Sequence, residues 1–87
     1  MVNEMPPDKY SNVEEFINDI ELIGEIEFAY NGVAYSLATV ENGISVVEYN
    51  KPETEQLFES AEDFIAKFEI NGKKIKDIVT KIDVLFH

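Results

Sequence analysis

The sequence predicts one small α+β domain: an N-terminal helix, an antiparallel meander of three or four strands, and two C-terminal helices packed on one sheet face. Three observations predict it. Apolar residues recur at helical spacing from Val13 to Ile23 and again beyond Ser60, they alternate with other residues from Glu25 to Tyr49, and Asn-Gly pairs punctuate the chain. A chain of 87 residues has room for one thin core and little room for a deep pocket. Its hydrophobic fraction of 45% is that of a globular protein, so the acidity described below does not imply disorder.

Residues 1–10 read as a flexible arm, because Pro6-Pro7 favours extended backbone. The folded domain is expected over 11–87. Ser11-Asn12-Val13-Glu14 matches a capping box and should open the first helix. Val13, Phe16, Ile17, Ile20 and Ile23 draw one stripe along it, and Gly24 suits the left-handed residue that ends it.

A strand follows over 25–30, with Ile26, Phe28 and Tyr30 on one face. Asn31-Gly32 tolerates positive φ at both positions and predicts a two-residue hairpin turn. That turn pairs Tyr30 with Val33, Phe28 with Tyr35 and Ile26 with Leu37, large apolar against large apolar. The second strand runs over 33–40 and reaches Glu41-Asn42-Gly43, where two registers compete. A turn on Asn42-Gly43 sets Leu37 opposite Glu48. A three-residue turn with Gly43 as a bulge sets Leu37 opposite Val47 and Tyr35 opposite Tyr49, which keeps the aromatic face consistent and is preferred. The third strand then covers 44–49, and Asn50-Lys51-Pro52-Glu53 reads as a turn. A fourth strand over 54–59, with Phe58 inward, is preferred to a loop.

Ser60 is an N-cap with acids behind it, so a helix is expected over 61–69 with Ala61, Phe64, Ile65 and Phe68 inward. Asn71-Gly72 breaks it. A last helix is expected over 73–82 with Ile75, Ile78, Val79 and Ile82 on its stripe. Val84-Leu85-Phe86 is then an edge strand or an apolar plug.

This reading places Ala29, Ala34, Ser36, Ala38, Val40, Ile44 and Val46 on the second sheet face, beside Glu25, Glu27 and Glu48. A solvated face is normally more polar. Coverage by the N-terminal helix or the C-terminal tail, a homodimer packing sheet on sheet, and a ligand groove are the three explanations.

The charge excludes more than it assigns. There are 7 lysines, no arginine and 18 acids, a formal net charge of −11. Residues 1–62 hold 14 acids against 2 lysines, and residues 63–87 hold 4 against 5, so the excess belongs to the first two-thirds of the chain. Binding to nucleic acid is disfavoured, because that affinity comes from clustered cations. With no cysteine, disulfides and thiolate chemistry are excluded. His87, the only histidine, stands at the end of the sequence and is poorly placed as a base. No apolar run approaches the roughly 18 residues of a membrane span, and the first residues lack the pattern of a signal peptide, so a cytoplasmic location is expected.

Glu25, Glu27 and Glu48 form a candidate acidic patch able to hold a divalent cation or act as an acid–base pair, but a solvated strand end is the better reading. No EF-hand, P-loop or dinucleotide-binding pattern is present, so neither a metal nor a cofactor is expected. Lys73, Lys74 and Lys76 form a candidate basic patch in the first turn of the last helix, where the dipole disfavours cations. An acidic neighbour, within the chain or across a dimer, would offset that. Tyr30, Tyr35 and Tyr49 are read as core aromatics rather than a stacking platform.

The function expected is therefore a non-catalytic protein-interaction domain with a strongly acidic surface: an inhibitor, immunity or regulatory protein for a basic partner. The alternative is a small accessory protein that homo-oligomerises through the small-residue sheet face. A carboxylate- or metal-dependent enzyme is the third and weakest reading.

Overall fold

A computed structural model describes residues 9–86 of the chain. The order is α1 (Val13–Ile23), β1 (Glu25–Tyr30), β2 (Val33–Val40), β3 (Gly43–Glu48), β4 (Lys51–Phe58), α2 (Ala61–Lys67), β5 (Glu69–Ile70), β6 (Lys73–Lys74), α3 (Ile75–Ile78), a 3-10 turn (Val79–Lys81) and β7 (Asp83–Phe86). The expected α+β architecture is present. Strands β1 to β4 form the meander, and β7 adds a fifth strand beside β1, giving the order β4-β3-β2-β1-β7. All its pairings are antiparallel.

Most of the expected arm lies outside the described residues, as does His87. Tyr10 does not behave as arm: it is buried, its ring stacks on Phe16 at 4.8 Å, and its hydroxyl donates to Asp19 at 2.8 Å. The cap of α1 sits one residue later than expected. The Asn12 side chain accepts from the Glu15 amide at 2.9 Å, while the Glu15 carboxylate accepts from the Ser11 amide at 2.8 Å. The reciprocal logic of the capping box is kept with different residues. Gly24, at φ 86°, ends the helix as its sequence position suggests.

Strands β1 and β2 pair in the expected register, Tyr30 with Val33, Phe28 with Tyr35 and Ile26 with Leu37. The register of β2 and β3 is neither of the two expected. Leu37 faces Val46 and Tyr35 faces Glu48, because the turn is Glu41-Asn42 and Gly43 is already paired with Val40. A neighbour explains why. A Cβ on Gly43 would stand 2.0 Å from the Phe58 carbonyl oxygen, at φ 148°, so only glycine lets β3 begin so close to the end of β4. This slip reverses every residue of β3. Ile44 and Val46 therefore enter the core, while Val47 and Tyr49 leave it.

The turn into β4 is tighter than expected. Tyr49-Asn50 forms it, with φ 63° at Asn50, so β4 starts at Lys51. Pro52 is tolerated because β4 is an edge strand. Phe58 points inward as expected.

The last expected helix starts two residues late and is only partly α: Ile75–Ile78 is α-helical and Val79–Lys81 continues it as a 3-10 turn. Asn71 (φ 54°) and Gly72 (φ 81°) make the same kind of hairpin turn as Asn31 (φ 52°) and Gly32 (φ 82°). Residues 69–74 thus become a two-stranded ladder, closed where the Ile75 amide donates to the Phe68 carbonyl at 2.9 Å. Ile75, Ile78, Val79 and Ile82 are all buried as their spacing implied, the first two on the α turn, Val79 on the 3-10 turn and Ile82 just after it. The final residues form β7, the edge-strand alternative.

The core lies between the sheet and the helices. Phe64 touches the rings of Phe16, Phe58 and Phe68 at 5.8, 5.5 and 5.1 Å, joining α1, β4 and α2 through edge-on and stacked contacts.

Candidate functional site

The helices pack on one sheet face and leave the other open. The register puts Glu25, Glu27 and Ala29 of β1, Ala34, Ser36, Ala38 and Val40 of β2, and Ser45 and Val47 of β3 on that open face. Among the described residues no helix covers it. Two residues expected there, Ile44 and Val46, are core residues instead, for the reason of register given above.

The small residues have an intramolecular use. The Tyr49 amide donates to the Ala34 carbonyl at 3.0 Å, which sets Tyr49 opposite Ala34 on the open face. Its hydroxyl donates to the Glu27 carboxylate on β1. Neighbouring strands lie about 4.8 Å apart, so the side chain must cross the whole width of β2. Ala34 and Ser36 are small enough to let it pass. The hydrogen bond to Glu27, followed by partial burial, pushes the Tyr49 hydroxyl up to about 12. Farther along, the Ser45 hydroxyl donates to Glu55 at 2.5 Å.

The expected acidic trio is split. Glu25 and Glu27 lie on the open face. Glu48 is on the helix side and pairs with Lys51 at 3.1 Å. Among the described residues no group of three or more His, Cys, Asp or Glu side chains is placed to hold a metal ion. No described helix is long and apolar enough to cross a membrane.

The lysine patch stays together but on a different element. Lys73 and Lys74 belong to β6, and Lys74 is also the N-cap of α3, so the cluster still sits at a helix N-terminus, although a helix of four residues has only a weak dipole. Only Lys76 lies within that four-residue helix. Glu69 faces Lys74 across the ladder, and none of the three side chains makes an ion pair among the described residues.

The most distinctive concavity is a groove of about 400 Å³ where α1 ends, β2 turns into β3 and α2 begins. Ile20, Ile44 and Ala61 are its buried floor, and Val40 is its exposed apolar lip. Glu21, Glu41, Glu59 and Glu62 line its rim, each exposed to solvent. A shallower hollow formed by Asn18, Glu21 and Leu22 adjoins it through Glu21. Sequence reasoning counted these glutamates without bringing them together. They come from three segments, the end of α1, the turn at Glu41-Asn42 and the entry into α2, that only the fold makes neighbours.

That entry is well fixed. The Ser60 hydroxyl accepts from the Asp63 amide at 3.0 Å, and the Asp63 carboxylate accepts from the Glu59 amide at 3.0 Å. Lys67, 2.8 Å from Asp63, holds that carboxyl below its usual range, with help from the Glu59 amide.

None of the described lysines lines the groove. Lys51 sits in the first position of β4 beside Glu48, and Lys9 pairs with Asp83, which faces Ala29 near the far end of β1. Lys67 closes α2, and Lys73 and Lys74 follow it. The fold thus separates charge along the strands: one pole is acidic, and the other mixes lysines with acids.

No protein-family model matches the sequence, and no curated protein or solved structure matches it either.

Proposed function

We propose that this chain is a non-catalytic protein-interaction domain that engages a basic partner through its acidic pole, in the manner of an inhibitor, immunity or regulatory protein. One observation carries the reading. Glu21, Glu41, Glu59 and Glu62 converge on one groove that none of the described lysines lines. Like charges brought together without counter-charges cost stability, so a partner supplying cations would gain from them. Such a field speeds encounter with a basic surface and repels nucleic acid, and it weakens as salt screens it.

A catalytic role fits poorly with the side chains available. The carboxylates at this pole are exposed, and exposed carboxylates lack the desolvation that tunes acid–base groups. Affinity capture from a cell lysate at low and at high salt, followed by mass spectrometry, tests the proposal. Basic proteins should be captured at low salt and lost at high salt. Capture of no basic protein at low salt contradicts it.

A second reading keeps the open sheet face as a self-association surface. The specific observation in its favour is Leu57 of β4, 70% exposed on that face. Val47→Lys then dissociates the oligomer without unfolding it, whereas a strict monomer at high concentration ends this reading.

A further inference from the structure

We infer that the groove between the end of α1, the β2–β3 turn and the start of α2 is the docking point, and that its occupant is a partner segment with an apolar side chain flanked by Lys or Arg. The inference rests on the interaction reading above and deepens it by naming the surface and the chemistry of what it takes.

Two independent features converge there. The first is apolar. Leu22 is 84% exposed, and Ile23 and Val40 are 41% exposed. All three stand at the same pole, since the Gly24 carbonyl that follows Ile23 accepts from the amide of Thr39, the neighbour of Val40, at 2.7 Å. Leu22 points off the buried stripe of α1, where a polar residue would serve the fold better. Scattered surface leucines need no explanation, but apolar residues grouped beside a concavity mark contacts. The second feature is charge. Glu21 lies between the Leu22 hollow and the Val40 groove, lining both, and Glu41, Glu59 and Glu62 complete the rim.

Exposed apolar residues beside a rim of like charge suit a partner that presents an apolar side chain with cations on either side of it. The groove volume is at the low end of the roughly 300–1,000 Å³ of ligand sites, but its open shape suits a protruding segment better than an enclosed small molecule. A second copy of this chain is a poor occupant: each copy carries a net −11, and like charges oppose association.

A random-peptide phage library panned on the whole protein tests this, followed by amide chemical-shift mapping with the enriched peptide made synthetically. Enriched sequences should carry Lys or Arg beside an apolar residue. Shifts should concentrate on Ile20 to Ile23, Thr39 to Ile44 and Glu59 to Glu62. Glu21→Lys combined with Glu62→Lys should weaken the peptide by about tenfold or more. Val40→Ser should weaken it too while leaving the salt dependence in place. An unchanged thermal melt for each variant shows that the fold survives. Basic sequences that instead shift Ala34, Ser36 and Val47 overturn the groove and leave the wider reading standing. Enrichment of neutral or acidic sequences, or none at all, overturns both.

Discussion

Tyr49, beyond the end of β3, donates its hydroxyl to the Glu27 carboxylate of β1, two strands away. The contact runs over Ala34 and Ser36, and it gives the small residues of the open face a purpose inside the molecule. Tyr49→Phe removes it. Glu27 remains hydrated, so the loss of stability should be small, about 0.5–1 kcal/mol. The pH dependence is more telling. The Tyr49 hydroxyl is raised to about 12 from 10.0, so its contribution is present below pH 10.0 and lost as pH rises through about 12. Tyrosinate absorbance should show a late ionisation, at about pH 12, that Tyr49→Phe removes, leaving those of Tyr10 and Tyr35, which burial also raises.

The lane across β2 can be blocked. Ala34→Leu places a bulky side chain opposite Tyr49, so the hydroxyl should lose Glu27 and ionise nearer its ordinary 10.0. Ala38→Leu, farther along the same strand and face, should leave the late ionisation intact. If both substitutions act alike, the crossing is not what the small residues serve.

Gly43→Ala should be among the most damaging single-methyl changes in the fold. The new Cβ meets a backbone oxygen rather than a movable side chain, at a φ that disfavours any L residue. A loss of about 2–4 kcal/mol is expected, read from the urea midpoint. Gly32→Ala is the control: nothing lies within 4 Å of its Cβ position, so only the strain of φ 82° applies.

Asp63 ties the start of α2 to Lys67 and the Glu59 amide and is held below 3.8 by them. A carboxyl depressed in the folded state stabilises the fold above its unfolded value and loses that contribution as pH falls through the folded value. Urea midpoints of Asp63→Asn should therefore fall less steeply on the acid side than those of the unsubstituted protein. Parallel curves would show that the pair contributes nothing.

The parts of the fold that were legible in the sequence are those whose signal is local. Asn31-Gly32 carries its own turn geometry, and the apolar alternation of Glu25 to Leu37 admits one register. Ile44-Ser45-Val46-Val47-Glu48-Tyr49 does not, because it has large apolar residues on both phases. What decides it is the approach of Phe58 to Gly43, a contact fixed by β4 and invisible in β3 itself. Asn71-Gly72 shows the opposite failure. Its hairpin signal equals that of Asn31-Gly32, but only two strand residues flank it on each side between α2 and α3, so in the sequence it reads as a plain helix break. The groove was illegible for a different reason. Glu21 and Glu62 are far apart in sequence, and only tertiary packing makes them share one rim.

The acidic pole is tested most directly by the association rate of the groove-selected peptide, followed by stopped-flow fluorescence across a range of salt. Electrostatic steering predicts a rate that falls steeply with ionic strength, a dissociation rate that changes little, and a flattened salt slope in Glu21→Lys/Glu62→Lys. An association rate indifferent to salt, or a slope untouched by reversing those two charges, contradicts the assignment of this pole as the recognition surface.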